Sequence, residues 1–359
     1  MTLEQLLAAI QPPSAEARSL AKRRWDSIAK PLGSLGLLED AVVEIAGIRG
    51  NTQVRLDRRC VVVFCADNGI VEEGVTQTGQ EVTAVVSENL VSGKTSVCAI
   101  ARSMRCDVLP VDIGVARDLT DGLLVHKIAY GTDNIARGPA MTRAQALDAL
   151  LFGASLAEKL KRDGYDILAT GEMGIGNTTT SSAVASVLMG RSSAEVTGRG
   201  AGLSAEGLMR KIDAIKRAIS VNRPDVNDPV DVIAKVGGFD LAGMTGLFLG
   251  AAACKIPVLI DGFISAVAAL AAARLCPDAA GYALATHLSD EPAARMVLET
   301  LGKRPMITAG MRLGEGTGAV AALGLLDAAV AVYTDMSTFD DIAIDAYQPF
   351  DETAGTLPC

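Results

Sequence analysis

The chain has 359 residues, enough for one large domain or two unequal ones, and 49% of them are hydrophobic although only 4% are aromatic. Its formal net charge of −9, with no basic run, argues against nucleic acid and an anionic membrane as partners, while a phosphate-bearing small molecule stays possible because backbone N–H groups can bind it. The seven cysteines form no C-x-x-C pair and mostly lie in apolar runs, which favours buried free thiols and a reducing cytoplasm.

The first 50 residues have the apolar spacing of helices in three stretches, LEQLLAAI, EARSLAKRRWDSIAK and LLEDAVVEIAGIRG. Early acidic residues and two prolines make this N-terminus unlike a signal peptide. The other end of the chain, residues 334–359, is acidic and has no strong helical period. We expect the two ends to pack together, or on a second subunit, outside the sheet core.

Between the ends, four segments repeat one pattern: an apolar β-branched run, a turn rich in Gly or Asp, and an Ala-rich helical run. They span residues 58–75, 165–190, 256–276 and 304–330, and residues 106–115 form one more apolar run typical of a strand. This alternation predicts an α/β fold with a parallel sheet covered by helices. Ligands bind beyond the carboxyl ends of such strands, so the four loops should converge on one edge. Gly, Pro or charged residues interrupt the longest apolar runs, and we expect no transmembrane span.

The loop after the first predicted strand, ADNGIVEEGVTQTG, carries polar side chains that can recognise an aromatic heterocycle. Asp67, Asn68 and Thr76 are the candidates for hydrogen bonds to such a ring. Asp67 fits equally well as the first residue of an Asx-turn.

The loop GEMGIGNTTTSS, residues 171–182, follows a predicted strand and precedes a helix. Its G-x-x-G-x-G spacing matches neither the dinucleotide fingerprint nor a Walker A loop. Glycines still let the backbone approach a phosphate, and N–H groups at the helix start can bind it, with Asn177 or Thr178 as the N-cap. A capped strand-to-helix turn is the alternative. Glu172 is unfavourable beside a phosphate, so we expect it to face a ribose hydroxyl or a cationic ring.

A second glycine-rich loop, GRGAGLSAEGLMRK, spans residues 198–211 and also precedes a helix. Ser204 with Gly207 three residues later is not a capping box, so capping alone does not account for Gly198, Gly200 and Gly202. Lys211, about two turns into the helix, can reach a phosphate as a point charge. A solvated lysine is the alternative.

Two further stretches carry polar residues near predicted strand ends. DGFISAVAAL places Asp261 at a strand end and Ser265 in the first turn of a helix, with a helix cap as the alternative role of Asp261. THLSDEPAARMV contains His287, but its acids lack a zinc spacing, and capping by Ser289 or Asp290 accounts for them. We therefore expect no metal site, and no Ser-His-Asp hydrolase because a G-x-S-x-G elbow is missing.

The stretch MRLGEGTGAV, residues 311–320, places Glu315 between two glycines where a loop runs into a helix. This carboxylate can be a cap, a surface charge or a chemical base. The residues alone do not rank it above Glu172.

Six motifs together resemble the nicotinate-nucleotide–dimethylbenzimidazole phosphoribosyltransferase family, whose members act on the lower ligand of cobalamin. They occur in order over nearly the whole chain, and the third together with the last is highly specific. The motifs are KPLGSLGLLE, GTDNIARGPAMTRAQA, TGEMGIGNTTTSSA, GRGAGL, DGFISAVAAL and MRLGEGTGA.

The resemblance implies that phosphoribose moves from nicotinate mononucleotide to a base such as 5,6-dimethylbenzimidazole, with inversion at C1′ and Glu315 as general base. It also implies a homodimer. We expect no cofactor or metal, because nicotinate leaves as a neutral pyridine ring, and we expect a cytoplasmic protein from its free thiols. We further expect a helix N-terminus and burial to tune Glu315. The resemblance further implies two domains. The large one is Rossmann-like and spans residues 56–330, and the smaller one is mostly helical and consists of residues 1–55 plus 331–359. The residues that we expect to bind substrate are Glu172, Gly174, Ile175, Gly176, Asn177, Thr178, Gly200, Gly202, Lys211, Asp261, Ser265, Arg312, Leu313, Gly314, Asp67 and Thr76.

The loop that borders the base pocket in the family departs from its usual pattern in this chain. Asn68 stands where the family commonly has histidine, and the stretch after it differs at Thr76, Gly79, Val85 and Val86. Another benzimidazole, a purine or a phenol therefore remains possible as the natural acceptor. An N-ribosyl hydrolase and a non-catalytic nucleotide-binding subunit are further alternatives. A dehydrogenase is disfavoured because no correctly ordered G-x-G-x-x-G follows a strand.

Overall fold

A six-stranded parallel sheet forms the centre of the computed structural model, which describes residues 1–347. The strand order is β3-β2-β1-β4-β5-β6, the order of a Rossmann sheet, and it confirms the predicted α/β fold. All eight residues of the central strand β1 are buried, as expected for a parallel strand covered on both faces. The strands are β1 (Arg59–Ala66), β2 (Cys106–Gly114), β3 (Leu124–Val125), β4 (Ile167–Met173), β5 (Val258–Ile260) and β6 (Ala283–Ala285).

Helices cover both faces of this sheet, and small residues allow the closest helix pair to pack tightly. A Cβ at Gly246 would lie 1.8 Å from the Leu150 carbonyl oxygen, so the two helices that carry these residues pack backbone to backbone. The helices are α1 (Leu3–Ala9), α2 (Ala15–Ser27), α3 (Leu37–Arg49), α4 (Glu81–Val91), α5 (Ser96–Ser103), α6 (Arg143–Arg162), α7 (Asn177–Met189), α8 (Ser193–Val196), α9 (Ala205–Asn222), α10 (Pro229–Val236), α11 (Phe239–Cys254), α12 (Phe263–Leu275), α13 (Ala294–Thr300) and α14 (Thr317–Asp335).

The strand predicted at the start of the segment 304–330 is wrong, although its helix α14 is present. Residues 304–316 form a loop in which Ile307 makes only an isolated bridge to His287. Pro305 cannot donate to a ladder, and Gly310 adopts a φ of +63°, so this segment does not continue as a strand. The last strand of the sheet is β6, which the sequence pattern did not indicate.

The two ends of the chain pack against each other on one side of the sheet. Ile28 forms an antiparallel bridge with Thr338, and the rings of Trp25 and Tyr333 lie 5.2 Å apart. These contacts match the first of the two expected arrangements, in which the two ends pack together. The division at residues 55 and 330 remains a prediction, since α14 runs without a break from 317 to 335. The predicted tail from 348 to 359, with Cys359, lies outside the described residues.

Helix α14 is the one described helix that is long and apolar enough to cross a membrane. Half of it is buried inside the protein, where it packs against α3, α5 and β4. Its apolar residues are therefore accounted for by the core. The six described cysteines are all free thiols, four of them buried.

Candidate functional site

A cavity of about 290 Å³ lies at the carboxyl edge of the sheet, where the loops after β1, β4, β5 and β6 meet. The loops that the sequence predicted to converge do line it, together with the loop before α9. Fourteen of the predicted site residues are in its wall: Thr76, Glu172, Gly174, Ile175, Gly176, Asn177, Thr178, Gly200, Lys211, Asp261, Arg312, Leu313, Gly314 and Glu315.

Glu172, near the end of β4, is a buried carboxyl in the wall of this cavity. Its Oε2 accepts a hydrogen bond from Asn177 Nδ2 at 2.5 Å. Burial, with the nearby carboxylates of Asp240 and Asp261, raises the pKa of Glu172 well above its usual range. This shift favours the protonated carboxyl, and a protonated carboxyl can donate a hydrogen bond without repelling a phosphate.

The turn after β4 brings the N-terminus of α7 to the cavity. Its N-cap is Gly176, not Asn177 or Thr178 as predicted, because the turn requires a φ of +95° that glycine adopts without strain. In the described part of the chain, the N–H groups of Gly176 and Thr178 have no hydrogen-bond acceptor. Free N–H groups at a helix N-terminus are suited to bind an anion.

Lys211 is a buried lysine of α9, not the solvated one that the sequence left open. Its Nζ donates a hydrogen bond to Thr178 Oγ1 at 2.7 Å, beside the N-terminus of α7. A Cβ at Gly200 would lie 3.3 Å from this Nζ, so the glycine-rich loop closes tightly over it. Burial lowers the pKa of Lys211 to about 8, and Glu291 opposes the shift. The ammonium is charged at pH 7.

Glu315 lies in a turn whose backbone is left-handed at three successive residues. Its φ is +61°, and those of Gly314 and Gly316 are +88° and +91°. Glycine adopts this conformation freely, whereas a residue with a side chain pays about 1–2 kcal/mol. The glycines around Glu315 are thus required by the turn, and Glu315 is the strained member.

A helix N-terminus contacts the Glu315 side chain, but the burial expected from the sequence is only partial. Its Oε2 accepts a hydrogen bond of 3.0 Å from the backbone N–H of Val97, in the first turn of α5. Such an N–H has no partner within its own helix. The helix end therefore fixes one oxygen of the Glu315 carboxyl group.

Asp261 follows β5 and is 3% exposed. It is a helix cap, but of α14 rather than of the helix that follows it in sequence. Its Oδ1 accepts hydrogen bonds from Gly318 N (2.8 Å) and Ala319 N (3.0 Å), and its Oδ2 accepts one from Gly316 N (3.2 Å). Burial raises the pKa of Asp261, and His287 with these N–H groups counteracts the shift.

Three predicted site residues do not line the cavity. Asp67 is buried and accepts a hydrogen bond from Ala116 N at 2.8 Å, so it neither faces the cavity nor forms the Asx-turn that was its alternative role. Ser265 accepts a hydrogen bond of 3.1 Å from Asp261 N. The carbonyl of Gly202 accepts one from the Gln77 side chain, which ties two loops of the wall together. These three support the site without lining it.

The sequence interpretation missed the loop after β6. His287, Ser289 and Glu291 line the cavity, alternating as the residues of an extended segment do. The predicted capping by Ser289 or Asp290 is wrong, because α13 begins at Ala294. The sequence signal that could have identified this loop is a polar residue at every second position after a strand. Among residues 1–347 no cluster of three His, Cys, Asp or Glu side chains has a metal-binding arrangement.

The cavity wall near α4 combines apolar and polar side chains. Val75 and Val86 line it together with Thr76, Gln77 and Thr78. Val86 is one of the positions where the sequence departs from the usual pattern. The Thr76 hydroxyl donates to the Thr78 carbonyl at 2.8 Å. Leu313, also in the lining, is 56% exposed, so an aromatic ring in the cavity can contact apolar side chains and still find polar groups at its edge.

Comparison with known proteins gives one consistent result. A family model described as phosphoribosyltransferase (DBI_PRT) matches residues 10–344. The nicotinate-nucleotide–dimethylbenzimidazole phosphoribosyltransferase of Acetivibrio thermocellus is 50% identical over 97% of this chain and 99% of its own length. The protein of the same name from Ruminiclostridium cellulolyticum is 49% identical over 98% of this chain and 100% of its own. A crystal structure of such an enzyme from Thermus thermophilus has a TM-score of 0.87 at 38% identity, covering 92% of this chain and 99% of that one.

Proposed function

The chain belongs to the nicotinate-nucleotide–dimethylbenzimidazole phosphoribosyltransferase family, and on this premise we propose that it carries out the reaction for which its relatives are named. Phosphoribose passes from nicotinate mononucleotide to 5,6-dimethylbenzimidazole, and the products are α-ribazole 5′-phosphate and nicotinate, a step of cobalamin biosynthesis. The observation that carries the proposal is the presence of Glu315, the N-terminus of α7 and Lys211 in one cavity.

The phosphate end of the cavity is the N-terminus of α7 with Lys211. The free N–H groups of Gly176 and Thr178 and the Lys211 ammonium supply donors and positive charge for a phosphate. Gly200 lets the neighbouring backbone close over the same point. The raised pKa of Glu172 favours its protonated form, which does not repel a phosphate.

The transfer itself needs little help at the leaving group. In nicotinate mononucleotide the bond to C1′ comes from a cationic ring nitrogen, so its cleavage leaves a pyridine ring without that charge. The sugar carbon gains oxocarbenium character while the acceptor nitrogen attacks from the opposite face. The C1′–N bond to nicotinate breaks, a new C1′–N bond forms, and the configuration inverts from β to α.

Glu315 acts at the acceptor. The attacking benzimidazole becomes cationic unless its second nitrogen loses a proton, and the Glu315 carboxylate accepts that proton. One of its oxygens is fixed by the Val97 N–H, which leaves the other for the ring N–H. A positioned general base of this kind contributes about 10²–10⁴-fold to the rate.

The acceptor rests against the apolar side chains of Val86 and Leu313 in the cavity wall. The methyl groups of 5,6-dimethylbenzimidazole match these side chains. Another benzimidazole, adenine and phenols are the competing acceptors.

Three properties of the whole protein accompany this proposal. The enzyme is a homodimer, with a large domain of residues 56–330 and a small one built from both ends, as the family resemblance implies. It is cytoplasmic, and the free thiols of the six described cysteines support a reducing compartment. Light scattering during size-exclusion chromatography tests the dimer, and cell fractionation tests the compartment.

The experiment for the reaction is incubation with nicotinate mononucleotide and a panel of benzimidazoles, adenine and phenols, followed by mass spectrometry. We expect α-ribazole 5′-phosphate as the main product, formed only when an acceptor is present. Ribose 5-phosphate without an acceptor would identify an N-ribosyl hydrolase. Nucleotide binding with no product from any acceptor would identify a non-catalytic binding protein.

A further inference from the structure

The peptide bond between Glu315 and Gly316 is held from both of its sides. Its N–H donates to Asp261 Oδ2 at 3.2 Å. Its carbonyl oxygen packs against β4, where a Cβ at Gly171 would lie only 2.5 Å from it. This peptide sets the direction in which the left-handed Glu315 presents its side chain, so both contacts determine where the carboxylate points.

The hydrogen bonds of Asp261 go to the protein's own backbone. Both of its oxygens accept N–H groups of the turn and the first residues of α14, and its side chain is 3% exposed. His287 lies beside Asp261, and its Nδ1 is 3.9 Å from Asp261 Oδ1. Asp261 borders the cavity, but its hydrogen bonds go to the segment that carries Glu315.

The far end of the Glu315 side chain is fixed independently by the Val97 N–H. Glu315 is therefore restrained at its backbone by Asp261 and at its carboxylate by α5. A strained left-handed residue persists only where its surroundings determine its conformation, and these two contacts supply that restraint.

We propose that Asp261 is a positioning residue for the reaction, which holds Glu315 in the left-handed conformation that directs its carboxylate to the acceptor. This inference rests on the proposed role of Glu315 as general base. It assigns Asp261 a different role from the substrate contact predicted from the sequence. A displacement of a catalytic group by about 1 Å can cost on the order of 100-fold in rate.

The test is a double-mutant cycle on kcat, with the dissociation constant of nicotinate mononucleotide measured alongside. Asp261→Asn keeps an oxygen for Gly318 and Ala319 but presents an amide donor to the Gly316 N–H, and we expect kcat to fall about 10- to 100-fold. The dissociation constant should stay within about threefold, because no substrate contact is lost. In Asp261→Asn with Glu315→Gln, kcat should be no lower than in Glu315→Gln alone, since the positioned base is already absent.

Two further variants serve as a control for folding and as a substitute for Asp261→Asn. Asp112→Asn changes another buried aspartate that accepts a backbone N–H, at Val115, and controls for loss of folding. Its effect should add to that of Glu315→Gln. If Asp261→Asn does not fold, Gly171→Ala displaces the same peptide from its carbonyl side and should give the same non-additive pattern.

Each outcome has one meaning. Additive losses in the cycle, or a weakened nucleotide affinity with unchanged kcat, would overturn the positioning role of Asp261. Near-wild-type kcat in Glu315→Gln would instead contradict the proposed base, whatever Asp261→Asn does.

Discussion

Two glutamates in one cavity illustrate how the surroundings of a carboxyl decide its role. Glu172, on β4, is 8% exposed and surrounded by other acids, so its pKa is raised well above the usual range. Glu315, on a left-handed turn, is partly exposed and receives the N–H of a helix end. Burial favours the protonated form of the first, a hydrogen-bond donor, whereas the second is oriented by a backbone N–H and is the proposed base.

The difference comes from the backbone that carries each residue. Glu172 is placed by a regular strand, and its burial follows from the sheet. Glu315 reaches its position only through a turn that needs a glycine on each side and a restraint from Asp261. The basic member of the pair is thus the one whose conformation costs free energy.

The largest expected effect is that of Glu315→Gln, which keeps an acceptor for the Val97 N–H but removes the base. We expect kcat to fall about 10²–10⁴-fold. The affinity for nicotinate mononucleotide should be nearly unchanged, because the nucleotide is bound by α7 and Lys211. Steady-state kinetics and calorimetry measure the two quantities, and near-wild-type turnover would remove Glu315 from the mechanism.

Gly171→Ala should have the next largest effect, since its Cβ would lie 2.5 Å from the Glu315 carbonyl oxygen. We expect the free energy of unfolding to fall by about 1–3 kcal/mol. The displaced turn should also lower kcat, by about 10- to 100-fold. Gly138→Ala, where a Cβ would meet nothing within 4 Å, is the matched control for chemical denaturation and kinetics. Unchanged kcat in Gly171→Ala would show that the turn tolerates movement.

Lys211→Met should weaken nicotinate mononucleotide binding by about 10- to 100-fold, the usual range for a lost charge-assisted hydrogen bond. Lys216→Met, an exposed lysine of the same helix, is the control and should bind normally. An unchanged affinity in Lys211→Met would place the phosphate elsewhere.

The same lysine predicts a pH dependence of binding. The ammonium form binds phosphate, and the pKa of Lys211 is lowered to about 8 by burial, so affinity should be steady below that pH and weaken above it. The phosphate stays dianionic over this range because its second pKa is about 6. Calorimetry from about pH 7 to about pH 9 should show this decline in the wild type and a flat profile in Lys211→Met.

Glu172→Gln should have the smallest effect on catalysis, with kcat within about threefold, because an amide resembles the protonated carboxyl that the raised pKa favours. Its stability should respond to pH. The raised pKa of Glu172 means that the folded protein keeps a proton that the unfolded chain releases above 4.5, so wild-type stability falls as pH rises from there toward the raised pKa. Thermal unfolding should show a weaker decline in Glu172→Gln, and a large loss of kcat would reveal a charged Glu172.

Much of this site was predictable because its signals are local in sequence. The loops with Gly174, Gly200 and Glu315 stand out by their glycines, and the central strand β1 is an almost continuous apolar run. The Val97 N–H and the capping of α14 by Asp261 could not be predicted, because they join segments 218 and 55–58 residues apart. The short strand β6 and the polar loop after it lacked the length that makes a pattern visible.

The most direct test of the central claim compares two acceptors in the wild type and in Glu315→Gln. 5,6-Dimethylbenzimidazole has an N–H proton to lose, whereas its 1-methyl derivative attacks through the same type of ring nitrogen and has none. We predict that Glu315→Gln lowers kcat about 10²–10⁴-fold with the first acceptor and at least about tenfold less severely with the second. An equal loss with both acceptors would contradict the transfer of that proton to Glu315.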